Sequence, residues 1–196
     1  MPPAGRESTI SGGGVASWLV CSRETAAGAH WRGFQGVCSE ILRTVSQENV
    51  EIVRRFIDTM QRSFEAYWEN PRSIAAAVEA DDVWPEYREA LTYLDPEFEW
   101  KTAFLGETHR GYLQTAKVWD DYLRWAEDYR IGLEEVKEVG DGRVYAVIAL
   151  AGQAKAGGAP MDARFFDVFT LREGRIVRLE EYTNRDQALE AAGLSE

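Results

Sequence analysis

Two β-hairpins are predicted in the last third of the chain, and they constrain the fold more than any other feature. The first joins YRIGLEEVKEV to RVYAVIALAGQA through Asp141-Gly142, and the second joins MDARFFDVFTL to RIVRLEEYT through Glu173-Gly174. Apolar-rich runs that flank a two-residue turn ending in glycine are typical of antiparallel strand pairs. The C-terminal third is therefore expected to form an antiparallel sheet.

Helices are predicted upstream of these hairpins. SQENVEIVRRFIDTM begins with a capping serine and has apolar residues at helical spacing, which predicts a long helix from about Ser46 to Glu69. Shorter helices are expected near residues 72–80, 84–94 and 112–127, with a short strand, EFEWKT, before the last of them. Helices followed by an antiparallel meander indicate the α+β fold class.

The charge and the cysteine content exclude several kinds of function. The net charge is −11, from 33 acidic and 22 basic residues, and an acidic protein attracts neither nucleic acid nor an anionic membrane. No apolar run approaches the roughly 20 residues of a membrane span, and no secretion signal is evident, so a cytoplasmic protein is expected. Cys21 and Cys38 have no histidine at ligand spacing, and no glycine-rich loop joins a strand to a helix, so neither a metal nor a cofactor is expected.

The first 45 residues differ in character from the rest of the chain. They include SGGG and AAGAH and show neither helical nor strand periodicity, whereas regular patterning begins at Ser46. Two explanations are open: a disordered tail, or an extension translated from a start codon assigned too early, with the working protein beginning at Val45. The predicted organisation is thus a tail or extension over residues 1–45 and a single domain over residues 46–196.

One carboxylate lies among aromatic residues in the second hairpin. Asp167 is the centre of FFDVF, and an ionised carboxylate among rings must be exposed, paired, protonated or functional, because its burial is unfavourable. A two-residue turn at Glu173-Gly174 would pair Leu171 with Ile176 and Asp167 with Glu180. One face would then carry Phe165, Asp167, Phe169, Arg178, Glu180 and Tyr182, and the other Phe166, Val168, Val177, Leu179 and Glu181.

Three roles for Asp167 remain open on this predicted face. An ion pair with Arg178, shared with Glu180, would fix the strand register. Alternatively, Asp167 would be an acid in an apolar pocket that transfers protons, or part of a pocket that binds a ligand without chemistry. Because both faces of the hairpin carry apolar residues, we expect helices to cover one face and a second subunit, in a homodimer, to cover the other.

The order of these segments resembles the SnoaL-like branch of the nuclear transport factor two-like superfamily. The matching text is SQENVEIVRRF, LDPEFEW, HRG before the helix near residue 112, and DVFTLREGRIVRLEEYTNRDQALEAAGL, so the resemblance covers about residues 46–196. It implies a cone-like α+β barrel, in which a strongly curved antiparallel β-sheet wraps around N-terminal helices and leaves a pocket at its open end. Residues 62–92 look longer than this family usually has, which predicts a helical insertion there.

The resemblance to ketosteroid isomerase is only partial. Asp167 aligns with the aspartic acid that donates a hydrogen bond to an oxyanion in that enzyme. Phe56, which has no hydroxyl, stands at the position of its partner tyrosine. Trp100 and Lys101 stand where its catalytic base is expected. Steroid isomerisation is therefore not predicted.

Two other branches of the family use different residues. Limonene epoxide hydrolase needs an arginine and an aspartate two residues apart, a spacing that Asp162 and Arg164 match only in reversed order. The polyketide cyclases use an acid–base aspartate in the pocket, a role that Asp167 would fill. His109, in GETHRG at the expected pocket mouth, would assist as a second acid or base.

The sequence thus predicts a small-molecule pocket protein, with a hydrophobic or partly polar ligand. It would be a cofactor-independent isomerase, cyclase or hydrolase that uses a pocket aspartate as its acid–base group. The alternative is a non-catalytic ligand-binding or dimerisation module of the same fold. The predicted catalytic residues are Asp167 and His109, and the predicted substrate-binding residues are Trp100, Phe56, Trp119, Phe165, Phe169, Arg178, Glu180 and Tyr182.

Overall fold

The computed structural model describes the backbone of residues 32–104, 106–155 and 157–194, and the side chains within these ranges from residue 46 onward. Residues 1–31 of the predicted tail or extension, which spans residues 1–45, lie outside the described residues. The helices of the described part are α1 (Arg32–Glu69), α2 (Ile74–Glu79), α3 (Pro85–Thr92), α4 (Gly111–Trp125) and α5 (Arg185–Ala191). Its strands are β1 (Leu94–Lys101), β2 (Thr108–Arg110), β3 (Ala126–Gly140), β4 (Arg143–Ala154), β5 (Pro160–Arg172) and β6 (Arg175–Tyr182).

The strands form one six-stranded sheet in the order β2-β1-β6-β5-β4-β3. This sheet is curved and unclosed, and together with the helices it confirms the predicted α+β fold. Its strand pairs are antiparallel except for β1 and β6, which are parallel. That exception arises because β6 returns beside β1 only after α4 and the meander of β3 to β5 have intervened.

Helix α1 supplies one wall of the interior. Its apolar residues Val53, Phe56, Ile57, Met60 and Phe64 recur at intervals of one, three or four and are buried, as one face of an amphipathic helix requires. The helix ends at Glu69, as predicted, but it begins at Arg32, not at Ser46. Val37, Ile41, Leu42 and Val45 also have helical spacing, a pattern that the glycines around them obscure.

Polar contacts join the helices to each other and to the sheet. The Asp120 carboxylate of α4 accepts hydrogen bonds from the Ser73 hydroxyl at 2.7 Å and from the backbone N–H groups of Ile74 at 2.7 Å and Ala75 at 3.1 Å. These are donors that the start of α2 would otherwise leave free. On the other side, the Ile131 N–H of β3 donates to the Gln61 side chain at 2.7 Å. Contacts of this kind hold α1, α2 and α4 over one face of the sheet.

The opposite face of the sheet is partly covered by α5. Tyr145, Val147 and Val168 pack there against Ala188 and Ala192. A single short helix therefore covers part of the surface for which a second subunit was expected, and the homodimer stays a prediction. No helix within the described ranges is long and apolar enough to cross a membrane.

The register of the second hairpin differs from the prediction. Leu171 pairs with Ile176 as expected, but Thr170 then pairs with Arg178, so that Val177 is an extra residue in β6. Such a β-bulge moves every later side chain of the strand to the other face. The predicted pairing of Asp167 with Glu180 is therefore wrong. Asp167 pairs with Glu181.

Candidate functional site

A cavity lies between the helices and the concave side of the sheet. Its wall is largely apolar and is formed by helices α1, α3 and α4 and by strands β1, β3, β4, β5 and β6. The volume that the centre of a water molecule can reach inside it is about 50 Å³. Since one water needs about 10–15 Å³ on this measure, the cavity holds roughly four water-sized groups. Its lining comprises Phe56, Ile57, Met60, Tyr87, Ala90, Leu91, Leu94, Phe98, Trp100, Thr115, Trp119, Tyr122, Tyr129, Ile131, Ile148, Phe165, Asp167, Leu179 and Glu181.

Two carboxyl groups face each other in this apolar wall. Asp167 of β5 and Glu181 of β6 are cross-strand partners, and each is only 6% exposed. Within the described residues, no Lys, Arg or His lines the cavity. One oxygen of each group, Oδ1 of Asp167 and Oε1 of Glu181, is buried and makes no hydrogen bond to the described part of the chain. Neither carboxyl group therefore has a compensating positive charge.

The surroundings of the pair raise both pKa values. Burial, and then the negative charge of Glu181, raise the pKa of Asp167 well above its ordinary value. Burial raises the pKa of Glu181 to about 7, although the hydrogen bond from Trp100 acts in the opposite direction. That bond runs from the Trp100 indole Nε1–H to Oε2 of Glu181 at 3.1 Å. Burial thus favours the protonated form of Asp167, and Glu181 is close to half ionised near neutral pH.

Hydroxyl groups add further polar atoms to the same wall. The Tyr122 hydroxyl and Thr115 Oγ1 are buried and make no hydrogen bond within the described residues. Burial is also the main reason why the pKa values of Tyr122 and Tyr129 are raised, with smaller contributions from Glu181 and Asp167. Both phenols are therefore protonated at neutral pH. Tyr122 provides a donor that the protein itself leaves unused.

Aromatic rings surround this polar patch. The Trp100 and Trp119 rings lie 4.7 Å apart between centroids, and Tyr122 meets each of them edge-to-face at 5.9 Å. Phe104, which is 65% exposed, contacts the rings of Phe165 at 5.5 Å and Tyr122 at 6.4 Å. The carboxyl pair thus shares a wall with several aromatic rings, and Phe104 lies next to the lining on the solvent side.

Several of the predicted site residues meet in this cavity. Asp167, Trp100, Phe56, Trp119 and Phe165 all line it. Phe169 is buried nearby, and its ring lies 6.3 Å from that of Phe56. It belongs to the core, however, and not to the lining. The placement of these residues agrees with the predicted pocket, while their roles stay predictions.

Three predicted pocket residues lie on the other side of the sheet. Because of the bulge at Val177, Arg178, Glu180 and Tyr182 face away from Asp167. Arg178 forms ion pairs with Glu180 at 3.1 Å and with Glu99 at 3.6 Å. The proposed ion pair of Asp167 with Arg178 is therefore wrong, and the raised pKa of Asp167 is the opposite of what such a pair would produce.

His109 and Arg164 also lie outside the cavity lining. His109 is on the short edge strand β2, beside Trp100 in the register, and is half-buried. Arg164, which the epoxide hydrolase interpretation considered together with Asp162, is exposed and donates to the Glu134 carboxylate at 2.7 and 2.9 Å. Neither side chain touches the carboxyl pair, so the polar chemistry of the cavity depends on other residues.

The sequence interpretation missed the second carboxyl group and the phenols. Glu181 was placed on the opposite face because the bulge was not foreseen, and its buried partner Trp100 is 81 residues away in the chain. The sequence analysis assigns no site role to Tyr122 or Tyr129, both of which line the cavity. Within the described ranges, no group of three or more His, Cys, Asp or Glu side chains could hold a metal ion.

Comparison with known proteins identifies relatives of this architecture. The sequence profile of the family described as SnoaL-like domain matches residues 71–179, more than half of the chain. No curated protein sequence matches significantly. A candidate SnoaL-like polyketide cyclase from Jannaschia sp. CCS1 superimposes with a TM-score of 0.53 at 17% identity, covering 78% of this chain and 95% of that one. A candidate polyketide cyclase from Xanthomonas campestris pv. campestris gives 0.51 at 16% identity, covering 76% and 98%. At these identities the structural likeness concerns the fold alone.

Proposed function

We propose that the chain, which belongs to the SnoaL-like domain family, binds a small molecule in the cavity. The Asp167–Glu181 pair would then transfer a proton from one atom of this molecule to another. The reaction would be a cofactor-independent isomerisation or cyclisation at a carbon atom next to a carbonyl group. The observation that carries this proposal is the pair itself: two carboxyl groups, buried side by side, line a cavity without any basic partner among the described residues.

The two carboxyl groups suit opposite roles. The raised pKa of Asp167 favours its protonated form, which is able to donate a hydrogen bond to a carbonyl oxygen. Glu181, with a pKa of about 7, is ionised in a large share of molecules and is able to accept a proton. A general base is most effective when its pKa is near the working pH. Groups whose environments give them different protonation states are a recurrent acid–base arrangement.

In the proposed reaction, Glu181 removes a proton from the carbon next to the carbonyl group. The electron pair of the broken C–H bond forms a C=C bond, and the carbonyl oxygen becomes an enolate oxygen. Asp167 and the free hydroxyl of Tyr122 are the donors available to that oxygen. Return of the proton from Glu181 to another carbon completes an isomerisation. Attack of the enolate carbon on a second carbonyl group instead closes a ring: the C=O π bond of that group breaks, and its oxygen takes the proton from Glu181 to become a hydroxyl.

The first experiment is proton exchange in deuterated water. Small methyl ketones and 1,3-dicarbonyl compounds of a few heavy atoms are incubated with the protein, and loss of the α-proton signal is followed by NMR. We expect exchange above the buffer rate, and a reduction of about 100-fold or more in Glu181→Gln, since general base catalysis contributes roughly that much. Asp167→Asn is expected to slow exchange as well, because an amide donates more weakly than a carboxylic acid.

Matched controls separate this chemistry from a general effect of charge. Asp162→Asn makes the same change as Asp167→Asn on the same strand, at an exposed position. Glu127→Gln, at an exposed position on β3, makes the same change as Glu181→Gln and is its control. Both control variants are expected to exchange like the wild type. Equal exchange in wild type and Glu181→Gln across the whole panel would exclude proton transfer by this pair.

The second candidate function is binding without turnover. It is supported by the small reachable volume of about 50 Å³, which leaves little room for a substrate with two reacting groups. In that case ligands would protect the protein against thermal unfolding while no proton exchange occurs above the buffer rate. The expectation of a cytoplasmic homodimer also remains a prediction, and light scattering coupled to size-exclusion chromatography tests the dimer.

A further inference from the structure

The walls of the cavity contain one kind of charge and no other. Among the described residues, Asp167 and Glu181 are the only carboxyl groups in the lining, and no basic side chain reaches it. Elsewhere in the described part, several carboxylates form ion pairs with arginine, as Glu99 does with Arg178 at 3.6 Å and Glu134 does with Arg164 at 2.7 Å. Buried carboxyl groups normally require such partners. Inside the cavity, the described residues supply no basic partner for the two carboxyl groups.

Each carboxyl group also has one oxygen that is free to accept a hydrogen bond from a ligand. Asp167 and Glu181 are more than nine-tenths buried, and Oδ1 of the first and Oε1 of the second make no hydrogen bond within the described residues. The Trp100 indole satisfies only Oε2 of Glu181. A positively charged group with an N–H donor would give one of these oxygens a hydrogen bond and would supply both carboxyl groups with a compensating charge.

The rings around the pair favour the same kind of group. Trp100, Trp119 and Tyr122 lie mutually within 6 Å between centroids, and Tyr129 and Phe165 extend the aromatic wall. Ring faces attract cations, and enclosures of aromatic rings are a common way to bind alkylated ammonium groups. A strongly hydrated metal ion would gain little from such a wall, whereas an ammonium group with methyl substituents contacts both the rings and the carboxyl groups.

We infer that the cavity takes a small alkylammonium group, held between the Asp167–Glu181 pair and the rings of Trp100, Trp119 and Tyr122. This inference goes beyond the proposed reaction: it concerns the same cavity and carboxyl pair, and it names a ligand class, small compounds with a basic nitrogen, that would occupy the pair in place of a carbonyl compound. A reachable volume of roughly four water-sized groups matches a nitrogen with three methyl substituents.

The proton balance of binding follows from the state of the pair. A neutral amine crosses an apolar wall more readily than its ion does, because desolvation penalises charge. Inside, the O–H bond of the Asp167 carboxylic acid breaks and an N–H bond forms, which leaves an ammonium ion beside a carboxylate. When the ammonium ion enters already protonated, the pair releases a proton to water instead. In both cases the buried positive charge is compensated by the pair.

Calorimetric titration of the full chain near neutral pH tests this inference. Trimethylammonium chloride is the probe, and tert-butanol is the uncharged control of nearly the same shape. We expect saturable binding of trimethylammonium and affinity for tert-butanol lower by about tenfold or more. Equal affinity for the two probes, or no saturable binding of trimethylammonium, would overturn the inference.

Variants locate the binding in the pair. Asp167→Asn and Glu181→Gln are each expected to weaken trimethylammonium binding by about tenfold or more, while Asp162→Asn and Glu127→Gln leave it unchanged. An equal loss in the control variants would overturn the assignment. If circular dichroism shows that a variant of the pair does not fold, the NMR signal of the Trp100 indole N–H in the wild-type protein serves as the test instead. That signal must shift on saturation with trimethylammonium, because its acceptor Glu181 changes partner, and an unmoved signal refutes the inference.

The outcomes distinguish this inference from the proposed reaction. Proton exchange on carbonyl compounds without amine binding would leave the reaction standing and refute the ligand class. Amine binding to the pair without any proton exchange would support the ligand class and refute the reaction. Because one assay measures heat and the other measures isotope content, neither result depends on the other.

Discussion

The pH dependence of stability is the most direct consequence of the buried carboxyl pair. Burial raises the pKa of Glu181 to about 7 in the folded chain, whereas in the unfolded chain the group titrates near its ordinary value of about 4.3. Between these two values the folded state binds more protons than the unfolded state does. Stability must therefore fall as the pH rises through this window, in the direction opposite to that of a salt-bridged carboxylate.

The size of the effect follows from the displacement of the pKa. A difference of between two and three pKa units corresponds to about 3 kcal/mol for Glu181 alone, at roughly 1.4 kcal/mol per unit. Because the outer parts of a titration curve contribute slowly, about 2 kcal/mol of this loss falls between about pH 5 and about pH 7.5. Glu181 is only 6% exposed, so solvent screening does not reduce it appreciably. Asp167 acts in the same direction, since its pKa is also raised.

Urea unfolding followed by tryptophan fluorescence, at about pH 5 and about pH 7.5, measures this difference. Carboxylates with lowered pKa values, such as Asp128 and Glu134, affect stability mainly below this range, because they are ionised in both states within it. In Glu181→Gln the decline with pH should become markedly smaller, while Glu127→Gln should retain it. A wild-type stability that is constant or rises across this interval would refute the reasoning about the pair.

Two further predictions concern the support of the site. Trp100→Phe removes the indole donor to Glu181. It should raise the Glu181 pKa above about 7 in a carbon-detected NMR titration and lower the free energy of unfolding by about 1–3 kcal/mol. The control Trp119→Phe removes no described hydrogen bond and should leave the Glu181 pKa unchanged. Gly142→Ala should destabilise the fold by more than Gly174→Ala in urea unfolding. Both glycines have positive φ, +71° and +73°, a conformation that costs an alanine about 1–2 kcal/mol. Only at Gly142 would the new Cβ also lie 2.7 Å from the Leu171 carbonyl oxygen. Equal losses of stability in the two variants would contradict this steric argument.

The sequence predicts the elements of this fold well because their signals are local. The turns at Asp141-Gly142 and Glu173-Gly174 have positive φ at both residues, as two-residue hairpins of this type require. The end of α1 at Glu69 and the hairpin strands likewise follow from apolar spacing and turn residues within a short window. Such signals specify which elements form and which of them pair.

The candidate site was predicted less completely because it depends on one residue of register. The turn at Glu173-Gly174 correctly sets the pairing of Leu171 with Ile176, but nothing in RIVRLEEYT marks Val177 as an extra residue. The prediction therefore assigned Arg178 and Glu180 to the cavity and excluded Glu181. Both alternatives place a glutamate opposite Asp167, and only the true register leaves that glutamate without an arginine beside it.

This difference in register changes the physical meaning of Asp167. On the outer face, Glu99 and Glu180 lie within ion-pair distance of Arg178 and remain partly exposed, so they contribute little in either direction. On the inner face, two carboxyl groups without a cation lower stability as the pH approaches neutrality. A fold that needed these positions only for packing would be more stable with apolar residues there. A ligand that supplies a positive charge would restore stability by binding the folded state alone, so the inferred alkylammonium group would offset the stability that the pair costs near neutral pH.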